Sequence, residues 1–263
     1  MDLGLKGRSA AVAAASRGLG RATALALARE GCSVAICGRD PKRIRESAEF
    51  IERETGGRVL AVTADVSSRP DCERFIGETV GAYGRLDILV TNTGGPPAGD
   101  FEGTEDGAWE KAYTSLLANV IHLVRAATPH MKQAKWGRIL NIASLSVKQP
   151  IDNLILSNTF RPAIAGFSKA LSKELGPHGI LVNTICPGYT RTDRLEELAE
   201  SRVKVAGITK DQYYEMLSKN VPLGRVGEPE EFASVAAFLC SERASYVSGV
   251  ALQVDGGSSV GLA

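Results

Sequence analysis

The sequence predicts an α/β fold: a doubly wound parallel sheet of seven strands in one domain spanning residues 1–263. Short apolar runs alternate with longer segments of helical periodicity along the whole chain. The apolar runs lack polar alternation, as strands buried on both faces require. No stretch rich in Pro, Gly or Ser is long enough to divide the chain, and no repeat recurs at a period of about 20–50 residues.

The elements follow in order. Residues 8–14 form the first strand. Leu19, Ala22, Leu25, Ala26 and Ala28 make the apolar stripe of a helix over 18–30, closed by Gly31. Residues 32–38 are the second strand, and Asp40-Pro41 opens the second helix with a cap and a first-turn Pro. The third strand is 58–66, followed by a helix over 69–82 and a fourth strand over 86–92. One long helix is expected over about 105–130, a fifth strand over 137–144, a helix over about 156–175 and a sixth strand over 179–188. Polar helices are expected within 193–219, with 189–219 forming a lid over the substrate. A helix over 228–241 and a strand over 250–257 complete the pattern.

Composition narrows the function. Lys plus Arg total 31 against 30 for Asp plus Glu, a net charge of +1 that excludes a generally basic nucleic-acid binder. Apolar residues at 44% argue against disorder. No apolar run approaches the roughly 18 residues of a membrane span, and MDLGLKGRSA does not read as a signal peptide. The five cysteines are odd in number and lack CxxC spacing, so buried free thiols in a reducing compartment, the cytoplasm, are expected. His122, His130 and His178 join no constellation, and no metal-ligand cluster is present in the sequence. Gly is the outlier, with 28 residues.

Some of those glycines fall where chemistry needs them. After the first strand comes Ala14-Ala15-Ser16-Arg17-Gly18-Leu19-Gly20, running into a helix. A Gly-rich turn at a helix amino terminus presents free N–H groups and the positive end of the helix dipole to an anion. The second strand ends at Cys37-Gly38-Arg39, where the adenosine ribose of a dinucleotide would lie. No acid stands there to accept from an unmodified ribose. Arg39 and Arg17 suit a 2′-phosphate instead, which favours NADP(H) over NAD(H). Asp40 is adjacent but should point away as a helix cap.

Taken with VAAASRGLG (12–20), ADVSS (64–68), LDILVTNTGG (86–95), GRILNIAS (137–144), GILVNTICPGYTRTD (179–193), PLGRVGEPEEFASVAAFLCS (222–241) and VSGVALQVDGG (247–257), the chain resembles the short-chain dehydrogenase/reductase family over nearly its whole length. The nearest likeness is to 3-oxoacyl-acyl-carrier-protein reductases and related NADP(H)-dependent carbonyl reductases. The resemblance implies a Rossmann fold, a phosphate loop of Ser16, Arg17, Gly18, Leu19 and Gly20, and adenine contacts from Asp65 and Val66. It places Asn92 and Gly94 beside the ribose, and Pro187, Gly188 and Thr192 at the nicotinamide carboxamide. It also implies pairing of copies of the chain through the 157–175 helix, whose Ala163, Ala165, Gly166 and Ala170 allow close approach, into a tetramer or dimer.

The chain departs from the family at the chemistry. Ala13 and Ala14 replace the usual Thr-Gly that opens the loop. Leu116 stands at the family's Asn position; Asn119 is three residues away, on another face of the helix. Ser144 keeps the Ser position. The family's Tyr-x-x-x-Lys pair is Ser157 and Arg161, SxxxR in place of YxxxK. Four residues apart on a helix, these two share a face. Arg161 can donate to ribose hydroxyls and stabilise negative charge, but with a reference pKa above about 12 it is no acid. Ser157 is a weaker and shorter acid than Tyr. Two substitutes for the missing proton donor are conceivable: water held by Ser144, Ser157 and Arg161, or Lys148 acting as general acid from the loop after Ser144.

Two functions therefore remain open. One is an NADP(H)-dependent oxidoreductase of a carbonyl or alcohol substrate, small-molecule or acyl-carrier, with a non-standard catalytic set. The other is a nucleotide-binding protein without reductase activity, a sensor or an inactive partner subunit. A non-redox enzyme reusing the cleft has no residue in its favour. The elements expected to set specificity are 94–103, 145–156 and 189–219.

Overall fold

The structure is a computed structural model that describes residues 1–193, 195, 196, 199, 200, 203 and 207–261. In chain order the main elements are β1 (Ser9–Val12), α1 (Gly18–Arg29), β2 (Ser33–Gly38), α2 (Pro41–Thr55), β3 (Val59–Thr63), α3 (Arg69–Tyr83) and β4 (Ile88–Thr91). After them come α4 (Asp106–Ala112), α5 (Asn119–Ala134), β5 (Gly137–Ile142), α6 (Ile155–Leu175), β6 (Ile180–Pro187), α7 (Lys210–Lys219), α8 (Pro229–Leu239) and β7 (Ala251–Val254). The seven strands form one parallel sheet in the order β3-β2-β1-β4-β5-β6-β7. All seven strands fall where the sequence predicts them. Much of the expected lid, at 194, 197, 198, 201, 202 and 204–206, lies outside the described residues; α7 is its described helix.

The unalternating strands have a direct cause. Val12, Ile36, Val90, Leu140 and Ile185 pack into one core, with Leu27 of α1 and Phe232 of α8. Their neighbours Ala11, Ala35, Leu89, Ile139 and Val182 pack into a second core, with Phe75 of α3, Leu123 of α5 and Ile164 of α6. Each strand thus feeds apolar side chains to both layers.

Local chemistry sets the helix ends. Asp40 caps α2 by accepting from the backbone N–H of Lys42 at 2.9 Å and Arg43 at 3.1 Å, and Gly56 closes that helix at φ +67°. The long helix expected over 105–130 is divided. A π turn over Tyr113–Ala118 separates α4 from α5, and Leu116 sits fully buried inside it. Apolar periodicity cannot reveal such a break, because the buried stripe continues through it.

The sheet order creates the site. From β1 the chain moves outward to β2 and β3, then returns to β4 on the other side of β1. The carboxyl ends of β1 and β4 therefore border a crevice at a topological switch point. The opposite end of these two strands is pinned by Asp87. Its fully buried carboxylate accepts from Ser9 N at 2.9 Å, Arg85 Nε at 2.7 Å and Arg85 Nη2 at 2.6 Å, with Arg8 Nη1 at 3.4 Å. Asp87→Ala should cost about 3 kcal/mol, because it strands an amide and two guanidiniums; chemical denaturation with an unchanged slope measures it.

Candidate active site

The first turn is built to receive an anion. After β1, Ala13 N donates to Val90 O and Ala15 N to Cys37 O, both at 2.9 Å, which fixes the turn between β4 and β2. The α1 cap residue Arg17 makes no side-chain capping bond, and the first turn of α1 holds no acid. Its amino-terminal N–H groups are therefore not claimed by a side chain. A Cβ on Gly20 would lie 2.6 Å from Ala14 O and 2.8 Å from Asn92 Nδ2, so no larger residue fits there. Asn92 Nδ2 donates to Ala14 O at 3.2 Å and ties the end of β4 to the turn. Ala14 itself adopts φ +47°, and it occupies the left-handed region with a side chain in place.

Cations gather at the end of β2. Ser16, Arg17, Arg39, Asp40 and Arg43 line one cavity; Arg21, Glu46, Ser47 and Asp193 join Ser16, Arg17 and Arg43 around another beside it. Gly38 brings β2 against the turn, since its added Cβ would stand 3.4 Å from Ser16 Cβ. Asp40 is both the cap of α2 and an exposed partner of Arg43 Nε at 3.5 Å. The N–H groups of Arg43 and Lys42 hold its carboxyl below the usual range, as its capping role requires. Arg17 Nη1 meets Asp193 at 3.4 Å, an exposed pair across the crevice. Arg43 belongs to this group although the sequence pattern does not single it out. Its position four residues after Arg39, in the first turn of a helix facing the rim, was the available signal.

The remaining cofactor candidates divide by role. Leu19 packs against the first core. Val66 is buried, and the Asp65 carboxylate accepts from Ser67 N at 3.0 Å and Ser67 Oγ at 2.8 Å, so it shapes its own turn. A Cβ on Gly94 would meet nothing within 4 Å, so Gly94 borders open space. Gly188, which follows Pro187 at the end of β6, is required for packing. Its Cβ would fall 2.6 Å from Asp255 Cα. Thr192 stands against the turn, 3.7 Å from where a Cβ on Gly18 would be.

The end of β5 holds the altered catalytic positions. Ser144 follows β5 and starts a 3-10 turn over Leu145–Val147, accepting from Ser146 N at 3.2 Å. Its hydroxyl proton remains available to donate. Ser157 and Arg161 lie on the buried face of α6, as their spacing predicts. Ser157 Oγ is 3.0 Å from Ser146 Oγ, which also donates to Ser157 O. The guanidinium of Arg161 is anchored to the strand end: Nη1 donates to Ile142 O at 3.1 Å and Ala143 O at 2.8 Å. Burial pushes its pKa down to about 10, nearer the titratable range than its sequence reference. Lys148 closes the 3-10 turn, half-buried.

Three residues of this region were not singled out by the sequence. Ser146 is the hydroxyl partner of Ser157. Asn158 accepts from Ile151 N at 3.0 Å and donates to Ile151 O at 2.9 Å, which clamps the 145–154 loop onto α6; an Asn in a helix's first turn often signals such a backbone contact. Cys186 of β6 lies among Ser144, Lys148 and Arg161. Burial pushes its thiol up to about 11, against the opposing pull of Lys148, the Ser144 N–H and Arg161. The cleft walls are also tied together. Gly99 N donates to Asn153 O at 2.8 Å, and Ile155 N to Gly99 O at 3.1 Å, which joins loop 94–103 to loop 145–156.

An anion-receptive turn at the switch point and a polar cluster at the adjoining strand ends define a doubly wound α/β protein with its ligand crevice in the position usual for that class. Comparison with known proteins narrows this. The family model for enoyl-(acyl carrier protein) reductases matches residues 13–259. The NADPH-dependent reductase BacG of Bacillus subtilis is 33% identical over 252 residues, 95% of this chain and 97% of that protein. The 3-oxoacyl-(acyl-carrier-protein) reductase FabG of Aquifex aeolicus is 33% identical over 257 residues, 98% of this chain and 99% of that one. The crystal structure of L-sorbose reductase from Gluconobacter frateurii, complexed with NADPH and L-sorbose, superposes with a TM-score of 0.96 at 32% identity, covering 100% of both chains. The chain belongs to the short-chain dehydrogenase/reductase family.

Ala14→Gly should relieve the left-handed strain and raise stability by about 1 kcal/mol, read as a higher melting temperature. A fall in melting temperature would show that the Ala14 methyl contributes packing that outweighs the strain.

Proposed function

We propose that the protein is an NADP(H)-dependent oxidoreductase of a carbonyl or alcohol substrate with a non-standard catalytic set. The observation that carries this reading is the rim of Arg17, Arg39 and Arg43 around Ser16, where Asp40 caps α2 and Asp193 meets Arg17 only as an exposed pair at 3.4 Å. Guanidiniums there suit a 2′-phosphate, and an unmodified ribose would call for an acid. The cradle at Gly20 and the uncapped start of α1 fit a diphosphate. The relatives named for NADPH support the same cofactor.

In this reading Ser16, Arg17, Gly18, Leu19 and Gly20 hold the diphosphate, and Gly38, Arg39 and Arg43 face the 2′-phosphate. Asp65 and Val66 border the adenine, Asn92 and Gly94 the ribose, and Pro187, Gly188 and Thr192 the carboxamide, with Arg161 beside them. NADPH, when bound, supplies a hydride. Ser144 then donates to the substrate oxygen, and the fixed positive charge of Arg161 stabilises negative charge there from nearby. Ser157, already engaged with Ser146, positions the Ser144 turn and is a poor proton source. The proton comes from water in the cleft or from Lys148.

The competing reading, nucleotide binding without reduction, draws on the same Ser157–Ser146 pair, because a hydroxyl tied to its neighbour replaces the family's phenol. We also place the protein in the cytoplasm, because all five cysteines are free and buried and no described helix is long and apolar enough to cross a membrane.

Calorimetric titration should show NADPH binding at least about tenfold more tightly than NADH, with Arg39→Ala narrowing the gap. Equal affinities would sink the cofactor assignment. A carbonyl panel with no turnover by the intact protein, and none gained by the Ser157→Tyr/Arg161→Lys variant, would favour the non-reducing alternative. The small exposed residues Ala163, Gly166 and Ala170 of α6 continue the stripe begun by Phe160, which packs on Trp109 and Tyr113 of the neighbouring helical stretch. We expect this face to pair copies of the chain into a dimer or tetramer. A monomeric mass by light scattering would refute it.

A further inference from the structure

The charge balance around Ser144 is unusual. Arg161 is 94% buried, being 6% exposed, yet no carboxylate pairs with it among the described residues. Its Nη1 is spent on two backbone carbonyls, while Nε and Nη2 have no partner among the described residues. Those two nitrogens form the edge of the guanidinium that grips a carboxylate with two parallel N–H···O bonds. Lys148, whose charge like that of Arg161 acts on Cys186, is half-buried at the end of the turn after Ser144 and is likewise without a carboxylate partner among the described residues. The nearby acid is Asp255, and its oxygens are consumed by Gly257 N at 3.0 Å, Ser259 N at 2.8 Å, Ser259 Oγ at 2.6 Å and Ser258 Oγ at 3.4 Å.

A buried cation without a counter-ion is costly, and removal of water by a bound substrate raises that cost. The hydroxyls of a ribose can accept from the same edge, but they are neutral and leave the charge uncompensated. An anionic group on the substrate satisfies both the geometry and the charge.

We infer that the edge of Arg161, assisted by Lys148, binds a permanent carboxylate on the substrate, so that the substrate is a free oxo acid or hydroxy acid. A thioester on an acyl carrier has no carboxylate at that place and would leave both cations unmatched. A 2-oxo or 3-oxo acid carries its carbonyl one or two carbons from the carboxylate, close enough for the Ser144 hydroxyl to meet the oxo oxygen. This inference rests on the reading of the cleft as a reductase site, but it concerns charge recognition and is measurable as binding alone.

The test is calorimetric titration of the NADP+-loaded protein with matched acids and amides: 2-oxobutanoate against 2-oxobutanamide, and acetoacetate against acetoacetamide. At least one acid should bind about 10- to 100-fold more tightly than its amide. Arg161→Met and Lys148→Met should each shrink that ratio, and Arg161→Lys, which keeps the charge and loses the fork, should give an intermediate value. Lys148→Met, on a half-buried turn, keeps the test decisive if Arg161→Met does not fold. Equal binding of acid and amide, no binding of either acid, or a ratio unchanged in Lys148→Met and in folded Arg161→Met overturns the inference. The two readings fail separately. NADPH binding without acid preference removes the carboxylate site only. Acid preference in a protein that binds no NADPH removes the reductase and keeps the site.

Discussion

Two backbone carbonyls at the end of β5 hold the guanidinium of Arg161, and the polar end of the cleft is arranged around that contact. The carbonyls of Ile142 and Ala143 lie at the carboxyl end of the strand, where Ile142 pairs with Ile185 and Ala143 N donates to Ile185 O at 2.9 Å, and both accept from Arg161 Nη1. A cation from α6 satisfies them and fixes how the helix lies over the strand. The next residue along is Ser144, so the same contact sets where that hydroxyl points. One turn earlier on α6, Ser157 and Asn158 fasten the loop after Ser144 through Ser146 and Ile151. Loop 94–103 is then tied to that loop. The order of the cleft wall thus propagates outward from a buried charge and its dipoles, with no ion pair at its centre.

The two ends of the crevice treat charge differently. At the rim where we propose the dinucleotide binds, several guanidiniums are exposed and partly paired, as Arg17 with Asp193 and Arg43 with Asp40. Such pairs contribute little to stability and exchange readily for a ligand phosphate. At the β5 end the cation is buried and has no carboxylate partner among the described residues. Exposed charge at the rim favours encounter and cofactor choice, whereas buried charge at the centre favours selection of what may enter. A net charge of +1 for the whole chain conceals this concentration of cations along one groove.

The strands were legible in the sequence because burial on both faces leaves them mainly apolar, as Ala10 to Val12 and Ile88 to Val90 show. The anion turn was legible because Gly18 and Gly20 leave a spacing that few other structures need. The π turn at Leu116 was not, since a change in hydrogen-bond register leaves the apolar stripe intact. That Gly188 is also required by the close approach of Asp255 was not legible, because a glycine's motif position does not show which neighbour comes close. The Ser146–Ser157 contact and the position of Cys186 depend on how β5, β6 and α6 converge, and residue spacing along any one of them does not reveal it.

Exchanging a Tyr-Lys pair for Ser157 and Arg161 alters which step the protein controls. A phenol whose pKa is lowered by a neighbouring ammonium can give and take a proton, so the protein governs proton transfer as well as charge. A hydroxyl bonded to its neighbour and a guanidinium fixed to two carbonyls do neither near neutral pH. What they provide is a standing positive potential and donors that need no reorganisation. Such a site stabilises an oxygen anion well and leaves its protonation to water or to a mobile group such as Lys148. The same fixed potential acts on the substrate before any reaction, and a molecule that brings its own negative charge satisfies it in the ground state. In the function we propose, the loss of the family's proton relay follows from Ser157 in the tyrosine's place, and the selectivity from the guanidinium of Arg161 in the lysine's place.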